Sequence, residues 1–442
     1  MFVQFKRLTW KASLLTTLIS LLAFTIALAA SGELDTTFDG DGLVITDVNA
    51  SSPGRLDLVY GIAIQPADGK IVAAGSSSLP GMASYDFAVT RYDTNGLLDT
   101  TFSGDGRLIT NFGADDYALD VAVQPNGKIV AAGKKCINNI CDVALARYNS
   151  NGTLDTTFSG DGRQTTDFGN GDNGSVGLAI QSNGKIVMAG YMSNGTDLDF
   201  AIYRFLSNGS LDTTFNGDGK VNINFGAGRQ DYASDLLLQS DGKIVIVGST
   251  GDANYDNNNF AIARLNAGGS LDTTFSGDGK QITNFGADDY AYGVALQSDG
   301  KIVVAGEKDI PNLNSFALAR YNTDGSLDTT FNGTGRKAFS VIAGTHSVAV
   351  DVIVQADGKI VVAGHADTEI GVFSDFALAL VRLNSGGSFD ATFSGDGKIT
   401  VDFGGGDFAG ALAQQPSDGK YVLGGRTYDT TQADFALTRV LP

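Results

Sequence analysis

Seven similar units of 56–64 residues follow one another from Leu34 to Pro442, and this repeat constrains the fold more than any other feature. Each unit carries a segment close to Leu-Asp-Thr-Thr-Phe. The copies begin at Leu34, Leu98, Leu154, Leu211, Leu271, Leu327 and Phe389. A turn of the type Asp/Asn-Gly-Lys and a segment close to Asp-Phe-Ala-Leu-Ala-Arg recur with the same period. Such a chain is expected to fold as repeated supersecondary units that stack on their neighbours.

The second unit shows why we expect β-strands. Residues 119–123 alternate at period two and lead into the hairpin turn Gln124–Lys128. Apolar segments follow at 129–133 and 143–148, and residues 107–112 form a further short strand. Four antiparallel strands in each of seven units predict an all-β fold, a seven-bladed β-propeller. A parallel β-helix has shorter coils, and tandem β-sandwich domains need about 100 residues each.

The order of strand types predicts how the ring closes. We expect the strand before the Asp-Gly-Lys turn to be innermost and the strand after Leu-Asp-Thr-Thr-Phe to be outermost. The chain begins with an outermost-type strand, Leu43–Thr46, and ends with a third-type strand, Phe435–Arg439. The N-terminal strand should therefore complete the last blade, so that residues 31–442 form one closed domain without an open edge.

An arginine and an aspartate recur at a fixed distance. The Arg that ends the third strand precedes the Asp of Leu-Asp-Thr-Thr-Phe by eight residues in six units. The pairs are Arg91 and Asp99, Arg147 and Asp155, Arg204 and Asp212, Arg264 and Asp272, Arg320 and Asp328, and Arg382 and Asp390. Constant spacing suggests a charge-assisted hydrogen bond, with independent solvated charges as the alternative. If the ring closes as argued, Asp35 and Arg439 should form the seventh pair.

The first thirty residues differ from the repeats. Three basic residues precede an apolar segment, residues 14–30, which ends in small side chains. This pattern predicts a signal peptide over residues 1–30, with an uncleaved membrane anchor as the alternative. Cleavage would leave 27 basic and 49 acidic residues, a net charge of −22. We therefore expect a secreted monomer in the periplasm, at the cell surface or outside the cell, with neither nucleic acid nor membrane as a partner.

The two cysteines, Cys136 and Cys141, should form a disulfide in the loop between the second and third strands of their blade. A zinc site is the alternative, but it would need further ligands, and the sequence has two histidines, His346 and His365. Both histidines are read as polar loop residues. No residue is assigned a catalytic role.

Candidate ligand-binding residues lie in the loops that lead from an outermost strand to the next innermost strand. They are Asp115, Asp116, Tyr117, Asp231, Tyr232, Asp288, Asp289, Tyr290, Asp407 and Phe408. We expect these loops on one side of the disc, opposite the Asp-Gly-Lys turns. Acidic side chains beside aromatic rings suit a cationic or sugar-like ligand. Alternatively, the aromatic residue begins the inner strand and packs between blades.

The Asp-Gly turns raise the question of calcium. In loops such as 93–99 the glycine stands fourth, whereas an EF-hand loop places it sixth with a bidentate acid at position twelve. The spacing therefore favours a structural Asx turn. We expect no cofactor and assign no metal ligands, with calcium the one ion left open.

Three motifs taken together resemble a known repeat. They are Leu-Asp-Thr-Thr-Phe-(Ser/Asn)-Gly-Asp-Gly, Gln-x-Asp-Gly-Lys-Ile-Val and Asp-Phe-Ala-Leu-Ala-Arg-(Tyr/Leu)-Asn. This combination is similar to the delta-60 repeat, a bacterial β-propeller repeat of unassigned function. The resemblance implies a secreted or surface-exposed bacterial propeller and no particular reaction. The unit beginning at Leu327 departs from the pattern at residues 332–335 and 338–341, where we expect local irregularity.

The functional hypothesis is a non-catalytic binding or scaffold module that uses its variable-loop face. Its partner would be a protein, a glycan or a small cationic ligand. One alternative is a secreted hydrolase or lyase with an acidic site at the channel mouth, and another is a calcium-stabilised surface protein. The enzyme hypothesis requires a carboxylate pair or a histidine with a perturbed pKa in a closed central pocket.

Overall fold

A computed structural model describes residues 30–49, 56–78, 84–138, 140–167, 173–254, 256–310, 313–369, 375–429 and 432–442. The predicted signal peptide lies outside these residues apart from Ala30. Across the described part of the chain, no helix has both the length and the hydropathy required to span a bilayer.

The described residues form seven four-stranded antiparallel sheets, and each sheet is one blade of a propeller. The innermost strands are β2 (Asp57–Ile64), β6 (Asp115–Val123), β10 (Asn173–Ile180), β14 (Gln230–Leu238), β18 (Asp288–Leu296), β22 (Ser347–Val354) and β26 (Gly406–Gln414). The second strands are β3 (Ile71–Ser78), β7 (Ile129–Ile137), β11 (Ile186–Ser193), β15 (Ile244–Gly251), β19 (Ile302–Ile310), β23 (Ile360–Asp367) and β27 (Tyr421–Tyr428). These positions match the predicted order of strand types.

The remaining two strands complete each blade outward. The third strands are β4 (Tyr85–Tyr92), β8 (Ile140–Tyr148), β12 (Leu198–Phe205), β16 (Asn259–Leu265), β20 (Leu313–Tyr321), β24 (Phe376–Leu383) and β28 (Ala433–Val440). The outermost strands are β1 (Leu43–Thr46), β5 (Arg107–Thr110), β9 (Arg163–Thr166), β13 (Lys220–Ile223), β17 (Lys280–Thr283), β21 (Arg336–Phe339) and β25 (Lys398–Val401). The predicted seven-bladed all-β architecture is confirmed.

The N-terminal strand closes the ring. β1 pairs with β28 in the blade β1-β28-β27-β26, in a register that joins Leu43 to Thr438 and Thr46 to Phe435. The last blade therefore combines three strands from the C-terminal end with one from the N-terminal end, as predicted. Backbone pairing across the two ends leaves no open edge between the first and last units.

Apolar packing between neighbouring blades forms the core. One cluster joins Val187 and Phe200 of the third blade to Ile246 and Ala263 of the fourth. The Phe of each Leu-Asp-Thr-Thr-Phe segment is fully buried; these are Phe38, Phe102, Phe158, Phe215, Phe275, Phe331 and Phe393. The divergent unit is regular in its strand, because β21 pairs with β20 at four positions like its counterparts. The expected irregularity is therefore absent from that strand.

Each innermost strand contains a β-bulge, which turns one residue out of the regular pairing. In the first blade the register shifts between Val59 and Gly61, so Tyr60 is the extra residue. The seven extra residues are Tyr60, Leu119, Val176, Ser234, Tyr292, Val350 and Gly410. These bulges shape the wall of the central channel.

Candidate functional site

The acid directly before the aromatic residue in each predicted loop is a buried structural group. Each of these carboxylates accepts a hydrogen bond from the backbone N–H of the Phe that precedes it in the loop. The pairs are Asp116 with Phe112 (2.6 Å), Asp231 with Phe225 (2.8 Å), Asp289 with Phe285 (2.6 Å) and Asp407 with Phe403 (2.7 Å). All four side chains are fully buried. They hold the loop between blades and are not available to a ligand.

The first acids bond to the preceding blade. Asp115 Oδ1 accepts the Tyr85 N–H at 3.2 Å, and Asp288 Oδ1 accepts the Asn258 N–H at 2.8 Å. Both carboxylates retain some exposed surface. They tie neighbouring blades together at the rim of the loop face.

The aromatic residues of the loops also pack between blades. Ring centroids lie 5.0 Å apart for Tyr117 and Tyr85, 5.3 Å for Tyr232 and Tyr191, and 4.9 Å for Phe408 and Phe376. The Tyr290 hydroxyl accepts a hydrogen bond from Asn258 Nδ2 at 2.9 Å. The loops therefore occupy the starts of the inner strands, and the Asp-Gly-Lys turns occupy the opposite ends of the same strands.

A cavity of about 410 Å³ lies at the centre of the loop face. Its lining is Tyr60, Leu119, Val176, Ser234, Tyr292, Val348, Val350 and His365, of which six are bulge residues. A groove of similar volume continues outward between the first two blades and shares Tyr60 and Leu119 with the cavity. The groove is further lined by Asp115, Tyr117, Lys134, Cys136 and Cys141. Two of the predicted residues, Asp115 and Tyr117, thus border this groove, and Tyr232 and Phe408 each line a further pocket.

A chain of polar groups stands behind one wall of the central cavity. The Tyr292 hydroxyl donates to Glu307 Oε1 at 2.7 Å, and Asn314 Nδ2 donates to Glu307 Oε2 at 2.7 Å. The Asn314 N–H in turn donates to His346 Nδ1 at 3.1 Å. Glu307 is 7 % exposed, and this burial raises the pKa of its carboxyl. His346, expected to be a simple loop residue, is part of this network.

His365 forms part of the cavity wall in the sixth blade, next to the blade of Tyr292. Its ring meets Phe376 and Phe408 edge-on, with centroids 5.4 Å and 5.1 Å away. Burial, and secondarily the charge of Arg426, lowers the pKa of His365 to about 4. The imidazole is therefore neutral at physiological pH. Sequence reasoning placed this histidine at the end of a second strand but did not place it in the channel.

Three further carboxylates line the channel one residue beyond the bulges, and sequence reasoning missed them. They belong to Asp120, Asp235 and Asp351, and we call them the channel aspartates. Each accepts two backbone N–H groups, one from the next residue at 2.7 Å and one from the following blade. The donors in the following blade are Leu178 (2.8 Å), Val294 (2.9 Å) and Leu412 (2.8 Å).

The channel aspartates have unusual titration behaviour. Burial raises the pKa of Asp120 to about 7 and that of Asp351 to about 6. Burial, together with the charges of Asp351 and Asp120, raises the pKa of Asp235 well above its usual value. The three carboxyl groups thus interact electrostatically across the channel. Their hydrogen-bond donors are uncharged backbone N–H groups.

A sequence signal for the channel aspartates does exist. The position after the bulge is Gly, Asp, Gly, Asp, Gly, Asp and Ala in successive blades, namely Gly61, Asp120, Gly177, Asp235, Gly293, Asp351 and Ala411. A Cβ on Gly61, Gly177 or Gly293 would lie 2.8–3.0 Å from the Cα of the next channel aspartate. The small residue therefore makes room for the aspartate-bearing strand. The alternation is visible once the bulge is located, which the sequence alone did not do.

The Arg–Asp pairs are part of larger buried groups. In the first blade Asp99 Oδ2 accepts from Arg91 Nε at 2.7 Å and from Lys70 Nζ at 2.9 Å. Oδ1 accepts from the Thr101 hydroxyl at 2.7 Å, and the guanidinium lies 4.8 Å from the Phe102 ring centroid. We call this combination of Lys, Arg, Asp and Thr the ion cluster. It recurs in every blade, and the Lys comes from the Asp-Gly-Lys turn.

The seventh ion cluster joins the two ends of the chain. Arg439 Nε lies 2.6 Å and Lys420 Nζ 2.9 Å from Asp35 Oδ2. The Arg439 guanidinium also donates to the carbonyl of Thr94 in the first unit. Separately, Cys136 and Cys141 are bonded across the hairpin between β7 and β8, where they are directly paired.

The fold and its repeated ion cluster define a β-propeller repeat protein. Six segments of the chain match the family described as "Domain of unknown function (DUF5122) beta-propeller": residues 67–102, 124–158, 181–215, 239–275, 297–331 and 355–393. Each matched segment contains one complete ion cluster and ends at the Phe of Leu-Asp-Thr-Thr-Phe. The seventh cluster is divided between the ends of the chain. No curated protein matches the sequence.

Several solved structures share the general architecture. A protein of unknown function from Dyadobacter fermentans is 11 % identical, with 90 % of this chain and 99 % of that chain covered and a TM-score of 0.44. An alpha-L-arabinanase from Penicillium chrysogenum is 11 % identical, with 92 % and 97 % covered and a TM-score of 0.44. The polysaccharide lyase Uly1 is 12 % identical, with 86 % and 90 % covered and a TM-score of 0.47. Likenesses at this level say nothing about the activity of this chain.

Proposed function

We propose that this chain is a secreted, monomeric bacterial propeller of the delta-60 type that binds a small organic cation in its central cavity without chemical conversion. The observation that carries the proposal is the cavity of about 410 Å³, whose wall combines two tyrosines with apolar side chains. Its volume is within the range of small-molecule sites, about 300–1,000 Å³. No Lys or Arg is among the lining residues.

The cavity suits a cation with an apolar body. Tyr60 and Tyr292 present aromatic rings, which attract ammonium groups through their π faces. The channel aspartates directly follow three other cavity-lining residues, Leu119, Ser234 and Val350, and supply negative charge near the axis when they are ionised. A bound cation would favour their ionised form, because an opposite charge lowers the pKa of a carboxyl group. Binding near pH 7 should therefore release protons.

The first test is calorimetric titration of the purified protein with benzyltrimethylammonium and, for comparison, uncharged benzyl alcohol. We expect the ammonium compound to bind and the alcohol to bind at least about tenfold more weakly. Titrations at pH 6.5 in buffers of different ionisation enthalpy should show proton release. Equal binding of the two compounds, or no binding of the ammonium compound, would contradict the proposal.

The second test locates the site. Ser234 lines the cavity, so Ser234→Phe should fill part of it and abolish binding. Ser234→Ala removes a hydroxyl and leaves the space open, and it should bind like the wild type. Unaltered binding by Ser234→Phe, with the fold verified by circular dichroism, would show that the ligand sits elsewhere.

The contacts of Tyr292 favour one catalytic alternative, a hydrolase or lyase. Tyr292 lines the central cavity, and its hydroxyl donates to the buried Glu307 carboxylate, a pairing suited to proton transfer. Release of reducing ends or unsaturated products from a polysaccharide panel tests it. Activity that Tyr292→Phe lowers at least about a hundredfold would support the enzyme, and no activity on the panel would count against it.

A further inference from the structure

Each interface between consecutive blades has three corresponding positions, which are polar except for Ala377 in the sixth blade. They are the residue after the outermost strand, a residue near the start of the third strand, and the capping residue at the start of the next innermost strand. Between the third and fourth blades these are Asn224, Asp199 and Asp231. Asn224 Nδ2 donates to Asp199 Oδ1 at 2.8 Å, so an amide supplies the donor that one carboxylate needs.

The interface that closes the ring is different, because all three positions are acids. Asp47 follows β1, Asp434 lies in β28, and Asp57 begins β2. One carboxylate oxygen from each of the three lies within 4.8 Å of the others. We call this group the closure carboxylates. Two of them belong to the last blade and come from opposite ends of the chain, and the third belongs to the first blade.

The buried member of the group lacks a full set of partners. Asp57 is 0 % exposed, and its Oδ2 accepts the Val48 N–H at 2.8 Å. Its Oδ1 is buried and has no hydrogen-bond partner among the described residues. Burial raises the pKa of Asp57, and the nearby Ser77 hydroxyl opposes this shift in part without making a hydrogen bond of acceptable geometry. A buried, unpaired carboxylate oxygen beside two further carboxylates is costly without a cation.

Comparison with sister interfaces strengthens this conclusion. The corresponding oxygen also lacks a partner in Asp116, Asp289 and Asp407. There, however, the residue after the outermost strand is Asn111, Asn284 or Asp402, and no interface other than the closure brings three carboxylates together in the described part of the chain. The closure carboxylates thus carry at least one more negative charge than the corresponding positions of any other interface.

We infer that the closure carboxylates bind a divalent cation, and that this cation is calcium. Carboxylate oxygens are the ligands that Ca²⁺ prefers, and it accepts irregular sites completed by backbone carbonyls and water, whereas Mg²⁺ demands a near-ideal octahedron. Asp47 and Asp434 are partly exposed, which gives an ion access from solvent. The bound ion joins both chain ends to the first blade and so stabilises the closed ring.

The experiment is thermal unfolding of the purified protein in EDTA, in 1 mM CaCl₂ and in 1 mM MgCl₂. Binding to the folded state alone should raise the melting temperature in calcium by about 3 °C or more, with a smaller rise in magnesium. Asp47→Asn recreates the arrangement of Asn224 and Asp199. It should abolish the calcium shift while keeping the melting temperature in EDTA at or above that of the wild type.

Asp402→Asn is the matched control, since it makes the same change at the interface between the sixth and seventh blades. It should keep the full calcium shift. A wild-type melting temperature that calcium leaves unchanged would overturn the inference. A calcium shift that survives in Asp47→Asn, or one that Asp402→Asn abolishes, would overturn it too, because the ion would then bind elsewhere. The proposed organic-cation site is unaffected by either result, since Ser234 variants test it separately.

Discussion

At the scale of single residues, the ion cluster accounts for three of the repeated sequence signals at once. The fixed eight-residue spacing places Arg and Asp in adjacent backbone positions, because the Asp272 N–H bonds to the Arg264 carbonyl at 2.8 Å. The second Thr after the Asp, Thr274, donates its hydroxyl to the other carboxylate oxygen of Asp272. The Phe that follows this Thr packs against the guanidinium. Every charged group in the cluster is therefore paired while largely buried, the condition under which a buried ion pair is tolerated.

Removing the acid of one ion cluster should be strongly destabilising. Asp272→Asn leaves the buried guanidinium of Arg264 without a counter-charge and leaves Lys243 with the exposed Asp241 alone. We expect a loss of about 3 kcal/mol in the free energy of unfolding. Despite burial, hydrogen bonds from Thr274, Arg264 and Lys243 hold the pKa of Asp272 below its usual value. Its contribution should therefore be present above about pH 4 and disappear as the pH falls further.

Differential scanning calorimetry at pH 7 and pH 3 provides the measurement. Asp278→Asn is the control, since Asp278 is an exposed turn residue that caps the Lys280 N–H at 3.0 Å. The control should change stability by less than about 0.5 kcal/mol. Equal effects of the two substitutions at pH 7 would show that the ion cluster does not stabilise the fold.

At the scale of strands, the repeated Gly that follows Lys-Ile-Val-Ala-Ala is explained by the bulge opposite it. In the fifth blade a Cβ on Gly306 would lie 1.9 Å from the backbone oxygen of Tyr290. Tyr290 immediately precedes the bulged segment of β18, where the pairing register between the innermost and the second strand shifts. A glycine is thus required so that the bulge can turn Tyr292 toward the channel.

Gly306→Ala should therefore be poorly tolerated. The added methyl group meets backbone atoms that cannot rotate away, so we expect a cost of about 2 kcal/mol and a displaced β18. Gly268→Ala is the matched control, because nothing lies within 4 Å of its Cβ position. Urea unfolding of both variants distinguishes them. A Gly306→Ala protein as stable as the control would mean that the bulge is not rigid.

The sequence predicted the strands well and the site poorly, for a physical reason. Strand type, strand order and closure follow from repeated turns and from alternation, which are local signals. The bulge inserts one residue without changing composition. For this reason the sequence could not assign to the channel either the cavity-lining Tyr292 or Asp120, which follows the bulge of its own strand. The loop acids were noticed because they repeat, yet repetition reflected their role in blade packing, as Asp116 shows. Features unique to one interface, such as Asp47 beside Asp434, were not found, because reasoning from repeats identifies only positions that recur in several units.

At the scale of the whole molecule, stability depends on a single non-covalent junction in the ring. This junction joins β1 to β28 in the seventh blade, and we call it the seam. In six blades the third and outermost strands are joined by a continuous chain, whereas in the seventh blade they come from opposite ends of the chain and are joined by non-covalent contacts alone. These contacts are the pairing of β1 with β28 and the ion cluster of Asp35 and Arg439. Each repeat contacts its neighbours, so the loss of this seam would expose the edges of two blades.

Asp35→Asn should therefore act differently from Asp272→Asn, although the local chemistry is the same. Both remove the acid of one ion cluster, but the first weakens the seam, whereas the second acts in a blade whose third and outermost strands are joined by a continuous chain. We expect Asp35→Asn to accelerate deuterium exchange of the β1 and β28 amides at least about tenfold, because local opening there needs no global unfolding. Asp272→Asn should leave those amides protected. Unchanged exchange in Asp35→Asn would mean that strand pairing alone holds the ring closed, and equal acceleration in both variants would mean that the propeller opens as one cooperative unit.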